Sequence, residues 1–454
     1  MVGIIFYILY FLLIFSTVYF FKQKSVYVIY PLIITSQFNV TSFLKLGITI
    51  SYFEANLFLL TFLVLFFYIK DIHRFFGDIK LYASDGIWIS FLIFGIISLF
   101  IGLLRVFFDD LHPDPYISPS PIIRGFMSLN KIFVFLPLFF IIRKYLIDNF
   151  SLQEINRHFI KAMVLAGVLP CLAVIVQFSG IGFNLIHNNP SFSETFRIED
   201  YLGARPAGLT NEASFFVYQL FFSNLALFYG YKKKWLSRNI TVIIGTLFFI
   251  CVVLSISRLG QLLFVMFYAI EFGRFIKIFS IRGFLKMVTI LPLLIILLYF
   301  ISTLNVGGFN VGQRFTSSFQ VDADLSTIER YGSSEALFNM LVDKSLLLGI
   351  GIYNFQYYIK DYLPSYMDVL YYGKGEGPAS FNFVLQMMVE YGLIGFLVYV
   401  TLNFTIIKKT KNLFVQDWYL YLLIFSLSFQ VLNFAIPFVI MFFITKDEKD
   451  SIYS

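Results

Sequence analysis

Long apolar runs follow one another from end to end of this chain, and one polar stretch of about 70 residues, Asn305 to Gly377, separates two of the late ones. A bilayer-crossing helix needs about 20 mostly apolar residues. Lipid tolerates only helices or closed barrels as spanning structures, because every backbone polar group must be satisfied within the protein. The runs here are continuous rather than alternating, so helices are expected and barrel strands are not. Composition agrees: 59% of residues are hydrophobic and 13% charged, against about 45–50% and about 25% in soluble domains. The chain reads as an all-α polytopic integral membrane protein with one large extramembrane loop.

Apolar segments stand out at about 2–21, 25–37, 54–70, 84–104, 122–143, 158–180, 211–231, 239–255, 258–272, 285–304, 379–406, 415–431 and 434–445. The second, ninth and last are short enough to be half-helices, so about 11–13 transmembrane helices are expected. The first run, Val2 to Phe21, lacks a basic leader and a small-residue cleavage site and reads as a retained helix. Three regions follow: N-terminal transmembrane helices (1–304), a large loop (305–378) and C-terminal transmembrane helices (379–454). No internal repeat or low-complexity tract is visible. In the large loop Leu325, Ile328, Tyr331, Phe338, Leu341 and Val342 recur at near-helical spacing. They predict an amphipathic helix lying on the membrane surface.

Charge sets the orientation. Lys232, Lys233, Lys234 and Arg238 form one cluster; Arg274, Lys277, Arg282 and Lys286 a second; Lys408, Lys409 and Lys411 a third. Basic short loops stay in the cytoplasm. The opposite loops, about 105–121, 181–210 and 305–378, then face the periplasm or exterior. The last holds five Lys/Arg against eight Asp/Glu, a net of −3. The chain's formal charge of +7 is gathered at helix ends, which argues against a nucleic-acid partner. Cys171 and Cys251 each sit inside an apolar run and read as buried free thiols, with no zinc or redox spacing.

Ionisable residues in or beside membrane spans are functional candidates. Four arginines fall on the outer, less basic side, where topology gives no reason for them. Arg205 lies in Ala204-Arg205-Pro206-Ala207-Gly208, Arg258 in Ser255-Ile256-Ser257-Arg258, and Arg314 and Arg330 in the large loop. A guanidinium is always charged and grips phosphate oxygens in a two-pronged fork. Several near the outer leaflet suit a pyrophosphate-linked lipid. The ordinary alternative is pairing with acids such as Glu199, Asp200 or Glu376; Arg258 has no acid near it in sequence. His187 and His112 lie in outer loops and His73 and His158 near the cytoplasm, without the paired spacing of a metal site. Asp109, Asp110 and Asp114 read as a solvated loop. Gly349-Ile350-Gly351 lacks the P-loop pattern, so no nucleotide site is legible.

Four segments together resemble the O-antigen polymerase/ligase family of bacterial envelope glycosyltransferases. Arg205-Pro206-Ala207-Gly208-Leu209-Thr210-Asn211-Glu212 resembles the family's Arg-x-x-Gly segment before a helix. Ser255-Ile256-Ser257-Arg258 resembles its Ser-x-Ser-Arg turn. Arg330 and then Leu348-Gly349-Ile350-Gly351-Ile352-Tyr353-Asn354-Phe355 resemble its large periplasmic loop. Asn382 and Glu390-Tyr391-Gly392-Leu393-Ile394-Gly395 resemble the helix leaving that loop. The order and spacing are more specific than any one motif, and the likeness covers about residues 200–400.

The resemblance implies a membrane-embedded fold of the GT-C type in the bacterial inner membrane, with its site facing the periplasm. It implies an undecaprenyl-pyrophosphate-linked glycan as donor, a second one as acceptor, and a chain-length regulator as protein partner. Arg205 and Arg258 would contact the pyrophosphate, with Arg314 or Arg330. The family often carries a His-Asn pair where the large loop returns to the membrane, and in ligases that histidine is taken as the base. Here the positions read Phe381-Asn382. The expected activity is therefore O-antigen or capsule-type polymerisation, needing neither metal nor cofactor. Glu376, in the flexible Gly373-Lys374-Gly375-Glu376-Gly377-Pro378, is the preferred base and His187 the second. A ligase acting on lipid A-core and a flippase or transporter are the alternatives. Transporters tend to show inverted repeats.

Overall fold

The computed structural model describes residues 2–37, 42–45, 49–82, 85–108, 121–178, 206–210, 213–255, 257–276, 303, 305–306, 309–310, 325–344, 346–352, 354–367, 382–427 and 436–444. Helices dominate them. α1 spans Val2–Lys22, α2 Ile29–Thr35, α3 Tyr52–Phe67, α4 Ile72–Gly77, α5 Asp85–Phe108, α6 Pro121–Asn149 and α7 Leu152–Phe178. α8 spans Ala213–Lys232, α9 Arg238–Leu254, α10 Arg258–Ile276, α11 Leu325–Lys344, α12 Phe355–Tyr362, α13 Phe383–Lys409, α14 Leu413–Ser426 and α15 Ile436–Val439. Two small antiparallel ribbons interrupt the helical pattern: β1 (Ser42–Lys45) with β2 (Thr49–Ser51), and β3 (Asn305–Val306) with β4 (Phe309–Asn310). The apolar segments do not announce either ribbon.

Among the described residues α5, α7, α8 and α13 are each long and apolar enough to cross a membrane. A fifth span forms if α3 and the helical stretch Ile69–Gly77, bent by 69° from it, count as one. Shorter apolar helices, α9 and α14 among them, accompany these. The chain is a polytopic helical membrane protein. Of the expected segment 285–304, only residue 303 is among the described residues.

Capping explains where the helices begin. Ser151 and Glu154 form a reciprocal box at the start of α7: Ser151 N donates to Glu154 Oε2 at 3.1 Å and Glu154 N to Ser151 Oγ at 3.3 Å. Ser237 caps α9 and Asn412 caps α14 in the same sense. Lys22, Lys232, Lys408 and Lys409 fall in last turns, where a cation complements the helix dipole.

The described chain divides into two compact units. In the first (Met1–Leu13, Ile33–Tyr52 and Ile160–Ala323), α8 is the buried centre. Gly167 of α7 faces Ser223 and Phe248, and Gly230 faces Ile160, so α8 runs opposite to α7. Gly245 of α9 faces Leu227, so α9 also runs opposite to α8. α10 runs parallel to α8. Phe264 and Phe267 stack edge-on to Phe221 at 5.8 and 5.2 Å, Tyr268 OH donates to Asn224 Oδ1 at 3.4 Å, and Lys232 bonds Glu271.

In the second unit (Ile14–Leu32, Phe53–Phe159 and Asp324–Ser454) a bidentate pair ties α5 to α6. Arg143 reaches both carboxylate oxygens of Asp85 at 2.6 Å and lies 4.4 Å from the Tyr82 ring centroid. The large-loop helix forms where the spacing predicts it. Of the expected apolar residues Leu341 is buried, while Tyr331, Phe338 and Val342 are exposed. Ser333, Ala336, Leu337 and Met340 turn inward with Leu341, and the last four pack with Ile350, Phe355, Ile359 and Val389. Small residues let α13 and α12 approach, which a count of large apolar residues overlooks.

α13 breaks at Gly392, whose φ of 70° and ψ of 176° are not helical. The stretch 346–351 fills the break. Leu393 N donates to Leu346 O at 3.0 Å, Ile350 N to Val389 O at 2.9 Å and Gly351 N to Glu390 O at 3.1 Å. Ser98 Oγ of α5 also donates to Glu390 O, at 2.9 Å. A broken span is tolerated when protein groups re-satisfy its backbone, and here a neighbouring turn segment does so. Both glycine motifs, Gly349-Ile350-Gly351 and Glu390-Tyr391-Gly392, belong to this joint.

Candidate active site

In the first unit the finishing ends of α7 and α9 lie level with the starts of α8 and α10. Four polar elements gather there. The turn 206–210 precedes α8, Gln177 closes α7, Ser255 closes α9, and Ser257 with Arg258 opens α10.

The turn is held by one side chain. Gln177 Oε1 accepts from Ala207 N at 3.0 Å and from Gly208 N at 2.9 Å, while Gln177 Nε2 donates to Gly208 O at 2.9 Å. Thr210 Oγ1 adds a bond to Ala207 O at 2.8 Å. Gly208 sits at φ +63°, and a methyl group there would lie 2.8 Å from Phe216 Cδ2. Only glycine combines that backbone with that closeness. Arg205 is joined to this turn through Pro206.

The Ser-x-Ser-Arg segment resolves into two caps and an arginine. Ser255 Oγ donates back to Val252 O at 2.8 Å and ends α9. Ser257 begins α10: its carbonyl accepts from Gln261 N at 2.8 Å and its Oγ from Gly260 N at 3.4 Å. Arg258 is thus the first residue of α10. A cation there opposes the positive end of the helix dipole, at a cost of about 0.3–1 kcal/mol. A bound anion reverses that penalty, because helix starts and guanidinium groups both attract phosphate.

The turn that follows Arg205 and the helix start at Arg258 meet on adjacent residues of α8. Gly208 packs on Phe216, and a methyl group on Gly260 would lie 2.4 Å from Val217 Cγ1. The start of α8 and the start of α10 therefore stand side by side and point the same way. Residues 243–400 match the Wzy_C family, described as O-antigen ligase. Over those residues the chain is similar to the O-antigen ligase domain. This domain is shared by O-antigen ligases and polymerases, membrane enzymes that transfer glycans and use lipid-linked glycan substrates. The matched stretch begins inside α9 and ends inside α13, so it includes Arg258, Arg314, Arg330, Glu376 and Asn382, while Arg205 and His187 precede it. No curated protein matches the chain.

Of the expected site residues, Arg258 is placed by its helix, and Arg205, His187, Arg314 and Glu376 lie outside the described residues. Arg330 and Asn382 belong to the second unit. Arg330 is half-buried on α11, and its carbonyl accepts from Ser333 Oγ at 3.3 Å. Asn382 caps α13, its Oδ1 accepting from Leu385 N at 3.0 Å. Nearby, Tyr366 OH donates to Glu335 Oε2 at 2.8 Å and Tyr362 OH to Asp343. Desolvation, followed by the carboxylate bond and charge, pushes both phenols up to about 12, so both stay protonated donors at physiological pH.

Sequence reasoning missed Gln177, and it quoted Ser255 and Ser257 only as parts of a motif, without their capping roles. The signal for Gln177 was present: it is the polar residue near the end of the apolar run 158–180. Its partners are backbone groups about 30 residues away, and backbone groups have no residue type to search for.

Proposed function

We propose that the chain is an O-antigen or capsule-type polysaccharide polymerase. It joins undecaprenyl-pyrophosphate-linked repeat units at the periplasmic face of the bacterial inner membrane, within a GT-C-type helical architecture. The observation that supports this reading is the meeting of the turn that follows Arg205 with the helix start that carries Arg258, beside two parallel helix starts. Such an arrangement favours a concentrated negative charge, and the diphosphate of a lipid-linked glycan is one.

In the reaction an acceptor sugar hydroxyl attacks the anomeric carbon of the donor. The new C–O bond forms as the bond from that carbon to the pyrophosphate oxygen breaks, through a transition state with oxocarbenium character. Charge builds on the departing diphosphate, where Arg205 and Arg258 stabilise it; Arg314 and Arg330 serve as further contacts. Fixed donors aimed at developing charge are the strongest general device in catalysis. Glu376 takes the hydroxyl proton, with His187 as the second candidate, and Asn382 contacts the substrate. Polymerase is preferred to ligase because Phe381 stands where ligases of the family carry their histidine.

The test is a surface-glycan gel of a strain lacking the gene, together with extraction of its lipid-linked intermediates. A polymerase leaves core bearing a single repeat and no ladder. Bare core with long lipid-linked polymer would mean a ligase, and an unchanged ladder would remove both. In purified protein given lipid-linked repeat units, Arg258→Ala is expected to lose on the order of 100-fold or more in rate; full activity would defeat the diphosphate role.

A further inference from the structure

α8 is a membrane helix with unusual polar content, and two buried donors at its outer seam lack partners. Ser214 is 6% exposed, and its Oγ has no hydrogen-bond partner. Gln261 of α10 has a buried Nε2 in the same condition. Serine and threonine in membrane helices usually bond back to a carbonyl one turn earlier. In this chain Ser36, Thr61 and Ser426 do so, and Ser214 does not. Buried polar groups without partners are rare and costly, and each needs an explanation.

Position supplies one. Along α8, Val217, Phe221 and Asn224 form the side that meets α10. Ser214 lies one turn before Val217 on that side. The parallel register that sets Val217 beside Gly260 sets Ser214 at the level of Ser257 and Arg258. Gln261 lies one turn into α10, next to Gly260. The unpartnered donors therefore flank the α8–α10 seam at, and within one turn of, the paired helix starts. Gln219 and Ser223 are also buried without partners, but Ser223 faces Gly167 of α7 and lies deeper.

We infer that Ser214 Oγ and Gln261 Nε2 donate hydrogen bonds to phosphate oxygens of the lipid-linked diphosphate held at the paired starts of α8 and α10. This rests on the reading of that end as a diphosphate site and adds two neutral donors to its arginines. Neutral donors suit the task. They fix orientation without adding charge, and the diphosphate is held between helix ends that already favour anions.

Ser214→Ala and Gln261→Met separate binding from structure, because removing an unpartnered buried donor does not weaken the fold. The full-length protein is melted in detergent with undecaprenyl pyrophosphate, with undecaprenol, and with neither. Undecaprenyl pyrophosphate is expected to raise the wild-type midpoint, and undecaprenol is not. Each variant alone should melt at or above the wild-type temperature. Each should need about tenfold more undecaprenyl pyrophosphate for the same rise. If both variants respond at wild-type concentrations, the inference falls and the site reading stands. If either variant alone melts below wild type, its donor is satisfied within the protein and the inference falls as well. A wild type that ignores undecaprenyl pyrophosphate, or responds equally to undecaprenol, overturns the diphosphate site itself and the inference with it.

Discussion

Two side chains each do a job that residue type alone does not reveal. Gln177 fixes three backbone groups of the turn that follows Arg205. Gln177→Leu leaves those groups buried without partners, at about 1–3 kcal/mol each if no water replaces them. It is expected to lower the melting midpoint and to raise the KM for lipid-linked donor; a KM unchanged in folded protein would make Gln177 a purely structural residue. Arg143 is the opposite case. It stands at the end of an apolar run, where an ionisable residue invites a functional reading, yet the buried Asp85 answers it with two 2.6 Å bonds. Arg143→Met strands that carboxylate, at about 3–5 kcal/mol, whereas Arg143→Met with Asp85→Leu should recover most of the loss. A double variant no more stable than the single one would show that the Arg143 bond to Lys80 O matters more than the pair.

At the scale of elements, helix positions were legible because bilayer thickness imposes a length on every apolar run. The expected 84–104, 211–231 and 379–406 became Asp85–Phe108, Ala213–Lys232 and Phe383–Lys409. What was not legible was which face of α11 turns inward. That face is chosen by the close approach of α13 and uses Ser333 and Ala336, residues that no hydrophobic count selects. The break in α13 was likewise hidden, since Gly392 signals a joint only once Leu347 is seen against it. A methyl group on Gly392 would lie 2.0 Å from Leu347 O, in a left-handed backbone. Gly392→Ala is therefore expected to lose more than about 2 kcal/mol of stability, read as poor yield and a lowered melting midpoint in detergent. A variant that melts like wild type would mean the joint rearranges freely.

For the whole molecule the charge clusters set an orientation that labelling can check. Both native cysteines are fully buried, so they give a silent background for an impermeant maleimide. Asn339→Cys, on the exposed side of α11, is expected to label in intact spheroplasts. Lys233→Cys, beyond the end of α8, is expected to label only after permeabilisation. The reverse pattern would place the arginine-bearing helix starts in the cytoplasm and remove a periplasmic polymerase. The candidate site itself was half legible. Arg205 and Arg258 could be singled out by sign and side, but their kinship depends on α8 and α10 running parallel, and that follows from the turns and spans between them rather than from either motif.

The pairing of residues 346–351 with 389–394 also bears on how such a chain can diversify. The stretch between departs and returns at one knot of backbone bonds, like a bag drawn shut at its neck. Lengthening it costs little, since doubling a loop adds only about 0.6 kcal/mol of closure entropy. Insertion and deletion there can then be absorbed while the backbone bonds of the neck stay as they are.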